Sequence, residues 1–530
     1  MDLSTKYQKK TDKEHILSNP DTYIGSVELV DNIEYIFNND TDSIVSKQIN
    51  VIPGLYKLFD EGIVNCRDHC IRMKQVSVED SANTHKVTKI DVCVSEDGEI
   101  SFHNDGNGID VAKHPEYNVW IPELIFGHLR TGTNYNKEEK KIVGGKNGFG
   151  VKLIYIWSTE GTLETIDHKR GLKYKQTFTS NLDVIGEPVI SKSKAKPYTK
   201  ITFKPDYKRL GIETITPDIV QLFKKRVYDI AAITEKSVKV SWNSSVVPVK
   251  EFQDYIGLYI GKNERAHEQP IDRWEYVVAL TNTGEYNQVS FVNGIYTAKG
   301  GKHVDYILNQ ITKKVIAVIL KKKKIEVKPA VIKEQLVLFV RCDIENPAFD
   351  SQTKDYMNTP VSKFGSTCVV SDKFIDKVIK LGVMESACEL TNVKENKNAK
   401  KTDGNKSKSI RGIPKLVDAN YAGTAKSHLC KIIFCEGDSA KAGIISGLST
   451  EDRNYIGVYP MKGKIFNVRG ETTKRISENK EVIEIKQILG LETGKVYKSQ
   501  QEIQSKLRYG NIIFMTDQDL DGSHIKGLCV

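Results

Sequence analysis

The segment KENKNAKKTDGNKSKS, beginning at Lys394, constrains the fold most. It holds almost no large apolar side chain and can add little to a core, so a chain of 530 residues is expected to divide there. A lysine-rich linker over 393–411 is the expectation. Beyond it, the apolar runs KIIFC and NIIFMT each pass directly into acidic residues, as strands do at their C-terminal ends in open α/β sheets. Residues 412–530 are therefore read as one α/β domain. Before the linker, helical patterns mix with short strands up to about residue 245, which suggests an α+β domain over 1–245. The strand-like VVALTN and LVLFVRCDI, with a helical pattern around Lys302 to Gln310, suggest a second α/β domain over 246–392.

Composition narrows the setting. A hydrophobic content of 39% with 28% charged residues is ordinary for a soluble protein, and no apolar run approaches the ~18 residues of a membrane span. No membrane partner is expected. The opening MDLSTKYQKKTDKEH lacks the apolar stretch of a secretory signal, and nine cysteines without CxxC spacing suggest reduced thiols in an intracellular setting. Lys plus Arg exceeds Asp plus Glu by 78 − 68 = 10. That balance, with the run Lys321, Lys322, Lys323 and Lys324, suits a polyanion, although a solvated loop would read the same way.

Three polar motifs could serve a nucleotide. In GLYKLFDEGIVNCRDH, from Gly54, helical spacing sets Glu61 and Asn65 four apart on one face. Glu61 could polarise an attacking water, and Asn65 could give an oxygen to Mg²⁺. Next, NDGNGI follows the strand-like EISFH, and its glycines permit a tight turn against a flat ligand, with Asn104 placed to accept from an adenine amino group. Last, TGTNYNKEEKKIVGGKNGFGVKL is a long glycine-rich loop entering a helix near Phe149, whose N–H groups could wrap a triphosphate. It has neither P-loop nor GxGxxG spacing.

In this order the motifs resemble the ATP site shared by gyrase, the Hsp90 chaperones, MutL and histidine kinases. YQKKTDKEHILSNPDTYIGSVE, FVNGIYTAKGGKHVDY and IENPAFDSQTKDYMN resemble eukaryotic type IIA DNA topoisomerase II specifically, over nearly the whole chain. The resemblance implies a GHKL (Bergerat) ATPase sandwich, a transducer domain of ribosomal S5-like α/β fold and an incomplete Toprim α/β domain. It implies Glu61 as general base, Asn65 as Mg²⁺ ligand, Asn104 as adenine reader, and Gly132, Thr133 and Asn134 against the nucleoside and phosphates. Lys146, Asn147, Gly148, Phe149, Gly150, Val151 and Lys152 would form a lid. Gln352, Thr353 and Lys354 match a loop reaching the γ-phosphate, with Lys354 sensing it. Tyr7 matches a strap that covers the nucleotide of a homodimer partner. Departures are Gly132 for a second serine, Lys146 for arginine and Gly62 for an apolar residue; lysine keeps the charge but loses the planar fork.

EGDSAKAG and DQDLDGSH place Glu436, Asp517, Asp519 and Asp521 at two strand ends, where clustered acids call for a cation. Asp517 and Asp519, alternate along an extended segment, could bind Mg²⁺ with Glu436 opposite. A calcium EF-hand is the rival, but Leu528 stands at its twelfth position. The two motifs resemble the Toprim domain. YPMKGKIFNVR then resembles a DNA-facing segment, with Lys464 and Asn467 as backbone contacts, and the Lys321 to Lys324 run resembles a transducer loop that senses DNA.

The implied activity is ATP-dependent passage of one DNA duplex through a transient double-strand break in another, with ATP and Mg²⁺ as cofactors and double-stranded DNA as partner. The implied location is the nucleus or, for a virus, its replication site in the host cell. The nucleophilic tyrosine of the family lies in a winged-helix domain after Toprim, so a chain stopping at Val530 is expected to hydrolyse ATP without cleaving DNA; Tyr509, which follows Arg508, is not expected to be that nucleophile. A gyrase-B-type subunit and a nucleotide-gated clamp are the alternatives.

Overall fold

The structure, a computed structural model, describes residues 7, 9–76, 83–131, 142–144, 150–410 and 412–530. The chain forms two compact units, Met1–Val383 and Met384–Val530.

In the first unit the helix α1, Pro53–Lys74, starts with proline at its first turn, where the missing N–H costs nothing, and is buried on nearly every side. Strands β1, Lys89–Val94, and β2, Ile100–Asp105, form a hairpin. Helix α2, Gly150–Ile156, leads into β3, Ser158–Asp167, then β4, Leu172–Thr179, and β5, Tyr198–Pro205. Helix α3, Pro217–Ile233, is capped by the Thr216 hydroxyl, and β6, Lys239–Trp242, follows it. Among the described residues these strands are the middle of a nine-stranded sheet, in the order β6, β1, β2, β5, β3, β4, antiparallel except for the parallel pair β6 and β1. Helices α1, α2 and α3 pack together against it.

A second, five-stranded sheet in the same unit includes β7, Trp274–Leu280, β8, Asn287–Val292, β9, Ile295–Tyr296, and, after the long helix α4, Lys302–Lys323, the strand β10, Leu336–Cys342. The strands β7 and β10 are buried along almost their whole length, as the uninterrupted apolar text of VVALTN and LVLFVRCDI demands. One hydrophobic core joins the two sheets: Phe59, Phe102 and Phe223 belong to the same cluster as Val277, Phe291 and Phe339.

Two expectations change. Lys321, Lys322 and Lys323 are the last turn of α4 rather than a loop, and Lys324 caps it in the left-handed conformation at φ 56. The apolar stripe Ile307, Ile311, Val315 and Ile319 carries the helix well beyond Gln310, and terminal lysines favour the negative end of its dipole. The stretch from Lys394 opens inside a helix, α5, Met384–Lys400, and not in a loop. Of its buried residues Met384, Ala387, Cys388, Thr391 and Ala399, the first four lie before Lys394, so a reading that begins there misses most of the buried face.

The second unit holds a parallel three-stranded sheet with β11, Lys431–Glu436, between β12, Ile456–Met461, and β13, Asn511–Met515. Helix α6, Gly437–Gly447, follows β11 and α7, Leu520–Cys529, follows β13. Arg508 is buried in this unit, donating to the carbonyls of Ser407 and Ile488 and pairing with Asp418. All nine cysteines are free thiols. Among the described residues no helix is long and apolar enough to cross a membrane.

Candidate functional site

A cavity of about 510 Å³ opens in the first unit between α1, β2, α2 and the loop holding Gln352 and Lys354. Glu61 and Asn65 line it from consecutive turns of α1, Asn104 from the end of β2, and Gly150, Val151 and Lys152 from the start of α2. Helical periodicity does this for the first pair, and the turn after β2 for Asn104. Gly108, in that turn, lies so close to β3 that a Cβ would sit 1.9 Å from the Ile166 carbonyl oxygen.

Glu61 is 6% exposed. Lys57, one turn earlier on α1, stands 2.9 Å from its Oε1, and Lys354 stands 3.4 Å from the same oxygen. Burial would raise the Glu61 carboxyl, but Lys354 and Lys57 outweigh it and hold the group below its ordinary value. The carboxylate is therefore kept ionised, the form that can accept a proton. Lys354, itself buried and in the left-handed conformation at φ 65, also donates to the Gly144 carbonyl at 3.3 Å. The Gly144 N–H is held by Asp68 of α1 at 2.9 Å. Thr353, between the two cavity residues, turns instead to Asp355 at 3.1 Å.

The Asn65 amide N–H donates to the Glu61 carbonyl at 2.6 Å, which leaves the amide oxygen as the group a hard cation could use. Asn104 likewise donates to the Asp105 carbonyl at 2.9 Å, leaving an acceptor on the wall of a cavity that Ile125, Phe126 and Ile201 also line. Lys152 is buried, its ammonium pushed down to about 8 by desolvation, and it donates to the Thr131 carbonyl. Gly62 has a structural reason: a Cβ there would lie 2.3 Å from the Phe102 ring, which fills the space of an apolar side chain.

The expectations for Gly132, Thr133, Asn134, Lys146, Asn147, Gly148 and Phe149 fall outside the described residues. Tyr7 is 71% exposed and lies away from the cavity, in a groove with Lys9, Lys10 and Arg209. The sequence reading missed Lys57, Asp60 and Arg226. Asp60 accepts from Lys57 at 3.2 Å and from Arg226 Nε at 2.8 Å, and Arg226 donates onward to the Gly294 carbonyl in the β8–β9 turn at 2.7 Å. Burial would raise the Asp60 carboxyl, but Arg226 and Lys57 bring it to about 2. The spacing Lys57, Asp60, Glu61 was the available signal, since residues three and four apart on a helix are neighbours.

In the second unit Glu436 ends β11, and its Oε2 accepts the Asp517 backbone N–H at 3.2 Å, so the two acidic strand ends are adjacent. The carboxylates themselves are not gathered. Asp519 caps α7 by accepting from Gly522 N–H at 2.6 Å, and Asp521 pairs with Lys464 at 2.6 Å. Among the described residues no three His, Cys, Asp or Glu side chains form a group that could hold a metal. Asn467 accepts from the Arg469 N–H at 3.0 Å. Tyr509 is 3% exposed; its hydroxyl donates to Asp418 and accepts from the Ala419 N–H at 3.0 Å, and burial raises its phenol far above the ordinary value.

Residues 232–408 match the family described as DNA gyrase B, and residues 431–530 match the Toprim domain. The crystal structure of the ATPase region of Saccharomyces cerevisiae topoisomerase II superposes with a TM-score of 0.69 at 39% identity, covering 74% of this chain and 100% of that one. The ATPase and transducer domains of DNA topoisomerase II from Balamuthia mandrillaris give 0.70 at 38% identity, again over 74% and 100%. The DNA topoisomerase 2 of Acanthamoeba polyphaga mimivirus is 44% identical over 538 residues, 99% of this chain and 41% of that relative. The Arabidopsis thaliana DNA topoisomerase 2 is 45% identical over 540 residues, 100% of this chain and 35% of its own length. The fold is thus an α+β multidomain one, with the architecture of a topoisomerase II ATPase and transducer region followed by Toprim sequence. The chain belongs to the type IIA DNA topoisomerase family. It spans 41% and 35% of the two curated relatives just described.

Proposed function

We propose that this chain hydrolyses ATP in the α1 cavity, and that it does so as part of an ATP-dependent type IIA topoisomerase acting on double-stranded DNA as a homodimer. The observation that carries this is the buried Glu61 carboxylate, kept ionised in a cavity it shares with Lys354, Asn65 and Asn104. Asn104 accepts from the adenine amino group, and the start of α2 covers the phosphates. Glu61 takes a proton from water as the water oxygen bonds to the γ-phosphorus and the bond to the β-bridging oxygen breaks, releasing ADP and phosphate. Lys354 moves from Glu61 to the γ-phosphate, so loss of that phosphate alters the loop it stands on. The Asn65 amide oxygen, left available by the N–H that donates to the Glu61 carbonyl, would hold Mg²⁺, which would supply charge neutralisation at the phosphates.

On this reading 1–245 is the ATPase domain, 246–392 the transducer and 412–530 the Toprim part, with Tyr7 covering a partner's nucleotide. Glu436, Asp517, Asp519 and Asp521 would supply hard oxygen ligands to Mg²⁺ at two adjoining strand ends once Asp519 leaves the Gly522 N–H and Asp521 leaves Lys464. Lys321 to Lys324, Lys464 and Asn467 meet the DNA backbone. The test is ATP turnover of wild type and Glu61→Ala with and without duplex DNA. Glu61→Ala is expected to lose at least a hundredfold, and the wild type to be stimulated by DNA in a salt-sensitive way; turnover unchanged in the variant removes the base and with it this function.

A further inference from the structure

Glu61 has two oxygens with different surroundings. Oε1 receives Lys57 at 2.9 Å and Lys354 at 3.4 Å. Oε2 faces the first residue of α2, where a Cβ on Gly150 would come within 1.9 Å of it. One oxygen is thus gripped and the other presented. If Lys354 goes to the γ-phosphate, as the proposed function requires, it cannot also fix the carboxylate. The remaining cation is Lys57, which lies on the same helix and is not free to wander. Its ammonium is buried between Glu61 and Asp60, at 3.2 Å from the latter. Asp60 is held in turn by Arg226 of α3 at 2.8 Å, and Arg226 is tied to the Gly294 carbonyl at 2.7 Å.

We propose that Lys57 is the positioning residue of the general base: a buried ion-pair chain from Gly294 through Arg226 and Asp60 ends at Lys57, which holds Glu61 Oε1 and so aims Oε2 at the reacting water. This rests on the hydrolytic reading above. It assigns to Lys57 no contact with nucleotide; it acts through Glu61 alone. Among the described residues the other charged groups near Glu61 have different tasks. Asp60 divides its two oxygens between Lys57 and Arg226, and Lys152 of α2 donates to the Thr131 carbonyl. The neighbouring strand β2 brings the neutral Phe102 and Asn104. A misaimed carboxylate costs rate without costing binding, because the nucleotide's own contacts are elsewhere.

The experiment uses the whole chain and steady-state ATP turnover, with melting temperature and binding of a non-hydrolysable ATP analogue as controls. Lys57→Met, which keeps the length of the stem, is expected to lower kcat tenfold or more while KM and analogue affinity stay within about twofold. Lys57→Arg is expected to recover most of the loss. In a Glu61→Gln background, Lys57→Met is expected to add nothing, whereas a merely structural lysine would cost the same again. Should Lys57→Met fail to fold because Asp60 is left poorly paired, Lys57→Met with Asp60→Asn removes both charges and carries the same comparison. The inference is overturned by a kcat within twofold of wild type, by a loss that appears in KM, or by an equal loss on top of Glu61→Gln. If Glu61→Gln itself turns over like wild type, the hydrolytic reading fails first, and that result is separate from any outcome at position 57.

Discussion

The two acidic sites of this chain are built in opposite ways. In the α1 cavity the carboxylates are buried and already matched: Glu61 with Lys57 and Lys354, Asp60 with Lys57 and Arg226. At the β11 and β13 ends the aspartates are exposed and engaged singly, Asp519 with a helix N-terminus and Asp521 with Lys464. A buried charge must find its counter-charge as the chain folds, because leaving it unpaired costs several kcal/mol. Exposed acids are solvated by water and can wait for a cation. The first site is thus set by folding, whereas the second holds its acids apart, each with a local partner.

The largest expected effect comes from breaking the preformed pairing. Lys354→Met should lower ATP turnover by ten- to a hundredfold, since it removes both a partner of Glu61 and the group assigned to the γ-phosphate. Glu436→Gln should leave ATP turnover within twofold. Equal losses in the two variants would erase the contrast between the sites.

A second test uses acid. His303, near the start of α4, is fully buried, and burial lowers its imidazole to about 3. Its folded value lies below that of the unfolded chain, ~6.5, so the unfolded state binds a proton first as pH falls. The contribution of neutral His303 is therefore complete above about pH 6.5 and declines from there toward pH 3. The resistance of the first unit to urea should therefore weaken between pH 7 and pH 5, and His303→Asn should flatten that slope; an unaltered slope would show that other groups govern it.

The smallest effect belongs to the second site. Asp519→Ala removes the cap of α7 and should cost roughly 0.5–2 kcal/mol of local stability, seen as faster amide exchange at Gly522 and Ser523, while Asp519→Asn should cost little. Adding Mg²⁺ should slow that exchange in the wild type only if the cation joins Asp519 without displacing the cap.

Much of this was legible in the residues. Strands such as KIIFC and LVLFVRCDI announce themselves by unbroken apolar text, and Glu61 with Asn65 by helical spacing. The Lys57–Asp60–Arg226 chain was not legible, because Arg226 reaches Asp60 from a distant helix and only packing brings them together. The helix Met384–Lys400 was obscured because most of its buried face precedes its lysines. The three aspartates were legible as a group by spacing, but spacing says nothing of which hydrogen bond each carboxylate takes locally.

Gly150 carries a consequence for variation at its position. Its backbone angle is not among the positive ones, so other amino acids could adopt its conformation. What they would meet is the Glu61 carboxylate, whose Oε2 occupies the place where even an alanine methyl would go. An alanine at this position must therefore push aside the carboxylate that Lys57 and Lys354 hold, so Gly150→Ala is expected to act on the reaction through Glu61 and not through the backbone.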